Sequence, residues 1–218
     1  MKIAVLGGTG KTGRLFVQVA LANGHEVTAL VRPTADTEGL DGARLVVGDA
    51  LNQEDIATLL EGQEAVYSAV GLGASGTFEE EVHVCTTSVK TIVPYLRSGA
   101  IKRAVFTGTH GVRTSHDDTA YVGRVWELMG RRLDDKETME EELVPETTDW
   151  LVLRAPRIAV GNESIGDDVA VLADPRVTNN AYIPQIDLVN VSLSEIEKPT
   201  HFREFLTVIS AKEVQPKA

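Results

Sequence analysis

Cysteine is nearly missing from this chain: Cys85 is the only one in 218 residues. A lone cysteine closes no internal disulfide, and neither Cys-rich zinc spacing nor a Cys-x-x-Cys redox pair can be built from it. His83 and Cys85 stand two apart on a helical pattern, point to different faces, and make no metal site. Positive charge is also short. Twenty-one Lys and Arg face 32 Asp and Glu, giving a formal net charge of −11 and a pI near 4.9. Such a surface repels nucleic acid and anionic membranes, so an anionic ligand must be attracted locally. No apolar run reaches membrane-spanning length, and the run from Met1 to Leu6 is too short before its glycines for a signal peptide. These shortages predict a soluble, cytoplasmic protein with a small-molecule substrate and no nucleic-acid or membrane partner. Neither heptads nor a symmetric patch is visible, so the oligomeric state is not legible.

What is present is strongly patterned. A hydrophobic content of 43% in 218 residues suits one sizeable core, predicted as a single domain over 1–218. Apolar runs of strand length recur at 3–6, 27–31, 45–47, 65–70, 104–106 and 151–153, most of them separated by amphipathic segments of helix length. Continuous apolarity says that these strands are covered on both faces. The fold class predicted is α/β, a doubly wound, mostly parallel Rossmann sheet with helices on both faces.

Leu15, Phe16, Val19 and Ala20 mark a first helix that Asn23-Gly24 closes. Val82, Cys85, Val89, Ile92, Val93 and Leu96 mark a later one, which Pro94 is expected to kink. Another helical stretch spans about 122–143, and its run Asp134, Asp135, Glu137, Glu140, Glu141, Glu142 reads as a solvated face rather than an acid-base or metal cluster. After Arg154 the pattern loosens through Pro156, Pro175, Pro184 and Pro199, with a last strand candidate at 205–209. The cofactor half is expected over about 1–110 and the substrate-side loops mainly after 154.

Directly after the first strand comes Gly7-Gly8-Thr9-Gly10-Lys11-Thr12-Gly13, followed at once by the first helix. Glycines there let the backbone turn tightly and approach a pyrophosphate, whose charge meets free N–H groups and the positive end of the helix dipole. Gly7, Gly10 and Gly13 carry that role, with Thr9, Lys11 and Thr12 between them. A nucleoside-triphosphate loop is excluded because it needs a glycine five positions before Gly10, where the strand residue Val5 stands. NAD-selective sites usually place an acid at the end of the second strand; this chain has Arg32, whose guanidinium can pair with the 2′-phosphate of NADP. NADP is therefore expected over NAD. Asp49, followed by Ala50, can accept from the adenine amino group or cap the helix near Asn52.

These residues, with Thr28-Ala29-Leu30-Val31-Arg32, Gly48-Asp49, Val105-Phe106-Thr107-Gly108-Thr109 and 150–156, give a chain that resembles the atypical branch of the short-chain dehydrogenase/reductase superfamily. That branch contains NmrA-like and flavin reductase (biliverdin reductase B) proteins. The resemblance implies a Rossmann fold and NADP use. Two features depart from it. No tyrosine is followed four residues later by lysine, since Gly71, Gly99, Val125 and Ile186 stand beyond Tyr67, Tyr95, Tyr121 and Tyr182. The Arg-Pro step common at the sixth strand here reads Arg154-Ala155-Pro156.

In an open α/β sheet the ligand lies beyond the carboxyl ends of the strands, which puts Val70, Gly71, Thr107 and Arg154 beside the nicotinamide. Thr109 stands where the family often has serine and can bond the carboxamide or substrate, or only nearby backbone. His110 is a titrating candidate, although lone loop histidines are more often structural. Tyr121 can form an aromatic wall or donate a proton. Lys136 falls near the family's active-site helix position, where it can reach a substrate or ribose hydroxyl; an exposed ion-pair role ranks first.

Without the usual tyrosine acid, the chemistry best suited is NADPH-dependent reduction of a planar conjugated acceptor such as a flavin, quinone or tetrapyrrole, whose proton comes from solvent. A non-catalytic NADP(H)-binding redox sensor of the NmrA-like type is the alternative. A small-ketone or sugar-nucleotide oxidoreductase is the third.

Overall fold

The computed structural model describes residues 1–71, 83–161 and 163–216. Elements follow in the order β1 (Lys2–Leu6), α1 (Lys11–Ala22), β2 (Glu26–Val31), β3 (Arg44–Val47), α2 (Gln53–Leu60), β4 (Ala65–Ser68), α3 (Val84–Arg97) and β5 (Arg103–Thr109). Then come α4 (Ala120–Met129), α5 (Arg132–Leu143), β6 (Trp150–Ala155), β7 (Arg157–Ala159), β8 (Val169–Leu172), β9 (Tyr182–Pro184), α6 (Gln185–Glu197) and β10 (Glu204–Ser210). Among the described residues the main sheet runs β3-β2-β1-β4-β5-β6-β10-β8, parallel except for β8 against β10. It is the doubly wound Rossmann-like α/β fold that the sequence predicts.

Alternation along β1 shows why both faces are covered. Ile3 and Val5 enter a core with Phe16, Val17 and Ala20 of α1 and Leu188, Val189, Leu193 and Ile196 of α6. Ala4 and Leu6 enter the opposite core with α2, α3 and α5. Side chains of a strand point to opposite faces in turn, so a strand with no polar position needs two helical layers. Strand order reverses between β1 and β4, and at such a switch point the first helices on either side diverge and leave a crevice at the carboxyl ends.

Several expectations are corrected. The edge strand β3 is not covered on both faces, since Val47 is 64% exposed. The predicted helix over 122–143 is two helices, broken at Gly130 with φ +50°. Pro94 lies within α3, and the Val82 predicted to begin that helix is outside the described residues. The loosened region after Arg154 holds three short strands and all of α6.

The acidic run is only partly solvated. Asp135 is buried because it caps α3, accepting from the Cys85 N–H (2.9 Å), the Thr86 N–H (3.0 Å) and the Thr86 hydroxyl (2.8 Å). Glu140 is fully buried against Arg154. Among the described residues no helix is long and apolar enough to cross a membrane.

Candidate functional site

The glycine loop is shaped by contacts that a side chain would destroy. Gly7 has φ +79°, and a Cβ on it would lie 2.8 Å from the Ala69 carbonyl oxygen at the end of β4. A Cβ on Gly13 would lie 2.7 Å from the Gly7 carbonyl carbon and closer still to its oxygen. Gly10 closes the turn, donating its N–H to the Gly7 carbonyl at 3.0 Å. The start of α1 then lies open: no side chain caps it and no acid stands in its first turn. By contrast α2 and α4 are capped by their own Asn52 and Thr119, and α3 by Asp135. Unpaired N–H groups above a cradle that admits no Cβ fit a dinucleotide pyrophosphate. Exposed Lys11 and half-buried Thr9 and Thr12 border the cradle.

Arg32 is the first residue beyond β2, exposed, and in no ion pair with the described residues. The loop it opens is clamped by Arg14, which sequence reasoning missed. The Arg14 guanidinium donates to the carbonyls of Asp36 (2.9 Å), Thr9 (3.3 Å) and Glu38, and pairs with the Asp36 carboxylate at 3.2 Å. A cation in the first turn of a helix opposes the dipole, and that unfavourable placement was the available signal. Asp49 is exposed, and one of its oxygens accepts from the Leu51 N–H at 2.9 Å; the helix cap is Asn52, not Asp49. Ala50 packs half-buried beside the α2 and α3 core.

Beyond the switch point, Lys136 is the main surprise. It is buried, not an exposed ion-pair partner, because its ammonium donates to the Val70 carbonyl (2.9 Å) and the Thr107 carbonyl (2.8 Å) across the ends of β4 and β5. Two of its three donors are thereby used, and its side chain borders the open cleft beside Gly71. The Thr107 hydroxyl faces inward to Tyr67 at 3.0 Å.

The cleft has two connected parts. One, about 340 Å³, is lined by Gly71, Cys85, Thr107 and Lys136; the other, about 540 Å³, by Tyr121, Val125, Leu128 and Ala181. Thr109, Met129, Pro156 and Arg157 border both. Thr109 therefore stands at the junction, and its hydroxyl has no partner among the described residues. β6 runs through Ala155, which pairs with Thr109, so the extra residue before Pro156 lengthens the strand and leaves the proline in the cleft wall.

Three residues predicted beside the nicotinamide do not line this cleft: Val70, whose side chain is buried in the core with α2 and α3, Arg154 and His110. Arg154 is fully buried, bonded bidentately to Glu140 (2.9 and 2.6 Å), to Thr114 (3.0 Å) and to Asp174 (2.6 Å). It alternates with Ala155 on β6 and so points under α5 instead of toward the cofactor. His110 is also fully buried, with Nδ1 3.0 Å from the Thr207 hydroxyl and Nε2 unpartnered; burial pushes its pKa down to about 4. Burial pushes the Tyr121 phenol up to about 12 and the Cys85 thiol up to about 11. Neither side chain releases its proton near neutral pH.

With that geometry in view, comparison with known proteins is direct. Residues 7–199 match the family pattern described as NAD(P)H-binding. YwnB of Bacillus subtilis is 24% identical over 226 residues, covering 98% of this chain and all of that protein. Among solved structures, the anaerobilin reductase ChuY of Escherichia coli O157:H7 superimposes with TM-score 0.74 at 16% identity, over the whole of both chains. SP1627 of Streptococcus pneumoniae, provisionally named an NADH-flavin reductase, gives 0.73 at 20% identity, over 96% of this chain and 99% of that one. These structural likenesses establish the fold, and the glycine cradle supplies the cofactor's place in it: the chain belongs to the NAD(P)H-binding family.

Proposed function

We propose that this protein is an NADPH-dependent reductase of a planar conjugated acceptor: a flavin, a quinone or a tetrapyrrole. The observation that carries the reading is the cleft itself, which opens beyond the strand ends at Gly71 and Thr107, is walled by Met129, Pro156, Val125 and Leu128, and in which burial keeps the Tyr121 phenol and the Cys85 thiol protonated. Apolar walls at the mouth of a dinucleotide site suit stacking of a flat molecule.

Gly7, Gly10, Gly13 and the open start of α1 hold the pyrophosphate, and Arg32 meets the 2′-phosphate of NADP. Lys136 is fixed by two carbonyls, so its remaining N–H is presented to a ribose hydroxyl without rotational freedom to lose. Thr109 presents its hydroxyl to the carboxamide or the acceptor. When bound, the reduced nicotinamide would supply the hydride; the cleft walls would stack the acceptor against it, and the acceptor would take its proton from solvent at the open mouth. The reductase names of ChuY and SP1627 agree with this class of acceptor.

A redox-sensing module without turnover is the second reading, favoured by the same absence of a tuned proton donor. A ketone or sugar-nucleotide oxidoreductase is disfavoured, because His110 is walled off and Tyr121 holds its proton. The test is a tryptophan-fluorescence titration with NADPH and NADH, followed by FMN, riboflavin and a simple quinone. Preference for NADPH, reduced about tenfold or more in Arg32→Gln, with oxidation on adding an acceptor, supports the reductase. Tight binding with no oxidation supports the sensor, and preference for NADH removes Arg32 from the cofactor site.

A further inference from the structure

We infer that the outer half of the cleft recognises an anion: the acceptor is a flat conjugated molecule bearing a phosphate, carboxylate or sulfonate, which Arg124 and Arg157 hold. From the reductase reading this takes only that the cleft receives the acceptor.

The chain carries a formal charge of −11, and among the described residues five of its thirteen arginines are neutralised by a carboxylate. Arg14, Arg97, Arg103, Arg154 and Arg176 each pair with a carboxylate. Arg124 and Arg157 pair with none among the described residues, although both are exposed and both line the same pocket. Arg124 makes one polar contact, to the Asn179 carbonyl at 3.3 Å, and the Arg157 guanidinium lies 5.6 Å from the centre of the Tyr182 ring. No Asp or Glu lines that pocket among the described residues. Both cations act on the Tyr121 phenol, pulling its pKa down against the dominant effect of burial, so their charge reaches the pocket wall.

An acidic surface that leaves two guanidiniums unneutralised in one recess focuses positive potential there. A guanidinium fork matches the oxygens of a carboxylate or phosphate. Both arginines stand on regular elements, Arg124 on α4 and Arg157 on β7, where it pairs with Tyr182 of β9. Asn179 and Asn180 border the same recess with side-chain amide donors. Tyr121, Val125 and Pro156 supply the apolar wall for the flat body.

Matched pairs that differ in one charged group test this: FMN against riboflavin, and naphthoquinone sulfonate against naphthoquinone. Binding to the full chain is measured by flavin fluorescence or equilibrium dialysis, with saturating NADP⁺ present to block the cofactor's own phosphate sites. The charged member of a pair should bind about tenfold more tightly at low salt. The advantage should shrink as salt is added and fall in Arg124→Gln and Arg157→Gln, while affinity for the neutral member, which reports an intact cleft, stays constant. Equal affinities, no binding by either member of any pair, or an advantage unchanged in both variants overturns the proposal. NADPH oxidation in parallel samples without NADP⁺ separates the two readings. Charged acceptors that bind without oxidising NADPH leave the anion site and remove the reductase, whereas both members oxidised with equal KM leave the reductase and remove the anion site.

Discussion

Replacing Gly13 with alanine probes the cofactor cradle at its tightest point. The new Cβ would sit 2.7 Å from the Gly7 carbonyl carbon and 3.1 Å from the Gly8 Cα, where ordinary contact begins near 3.4 Å. The carbonyl carbon alone requires the start of α1 to move about 0.7 Å from the loop and the nearer oxygen requires more, beyond what a charge-assisted hydrogen bond tolerates without weakening. Overpacking costs about 1–3 kcal/mol, while alanine's better helix propensity returns about 1 kcal/mol, so the fold should survive with a modest loss. Loss of one or two hydrogen bonds to the pyrophosphate, each worth about 1.5–3 kcal/mol, raises the NADPH Kd by roughly tenfold to several hundredfold or more. Urea unfolding and an NADPH titration on the same preparation measure the two effects separately. A folded Gly13→Ala protein that binds NADPH like the parent would refute the cradle.

Three further outcomes follow from the packing. Gly123 lies in α4 with nothing within 4 Å of a built Cβ, so Gly123→Ala should stabilise by about 0.5–1 kcal/mol in urea melts; destabilisation would contradict the open space seen there. Burial lowers the His110 pKa from 6.5 to about 4, so below pH 6.5 the unfolded chain gains a proton that the folded chain refuses, and stability falls as pH drops through that window. At pH 5 the loss is about 2 kcal/mol, and His110→Gln should narrow the stability gap between pH 7 and pH 5 by that amount; an unchanged gap would mean that His110 is not held neutral. Glu140→Ala leaves the buried Arg154 with only Asp174 and Thr114 as partners and should cost about 3 kcal/mol, whereas Glu140→Leu combined with Arg154→Met should recover part of it; a double variant weaker than the single would show that the contacts of Arg154 to Asp174 and Thr114 outweigh its pairing with Glu140.

The first half of the fold was legible because each strand was a continuous apolar run and the glycine loop carried its own steric logic. The second half hid for physical reasons. In α6, Leu188, Val189, Leu193 and Ile196 keep a helical spacing, but they follow Pro184 in a stretch rich in proline and short strands, so the periodicity was overlooked. Gly130 could have marked the break between α4 and α5, yet a glycine inside a helical pattern is often tolerated.

Among the site residues, Thr109, Tyr121, Gly71 and Lys136 do line the cleft. Lys136 and Arg154 were misread in opposite directions, for one reason. Sequence assigns a charge to an element but not to the face of its partner, and here the acidic helix turned Asp135, Lys136 and Glu140 inward while Arg154 turned to meet Glu140. Arg14 carried no motif of its own, and its role appears only when the loop after β2 folds back upon it.

The most direct measurement is anaerobic single-turnover oxidation of NADPH by FMN or a quinone, using NADPH deuterated stereospecifically at one or the other face of the nicotinamide C4. Hydride transfer inside the cleft predicts fast oxidation that slows with only one of the two labelled forms, because the wall formed by Thr109, Met129 and Pro156 receives the acceptor on one face. Equal rates with both labelled forms, or oxidation no faster than in buffer, would contradict it.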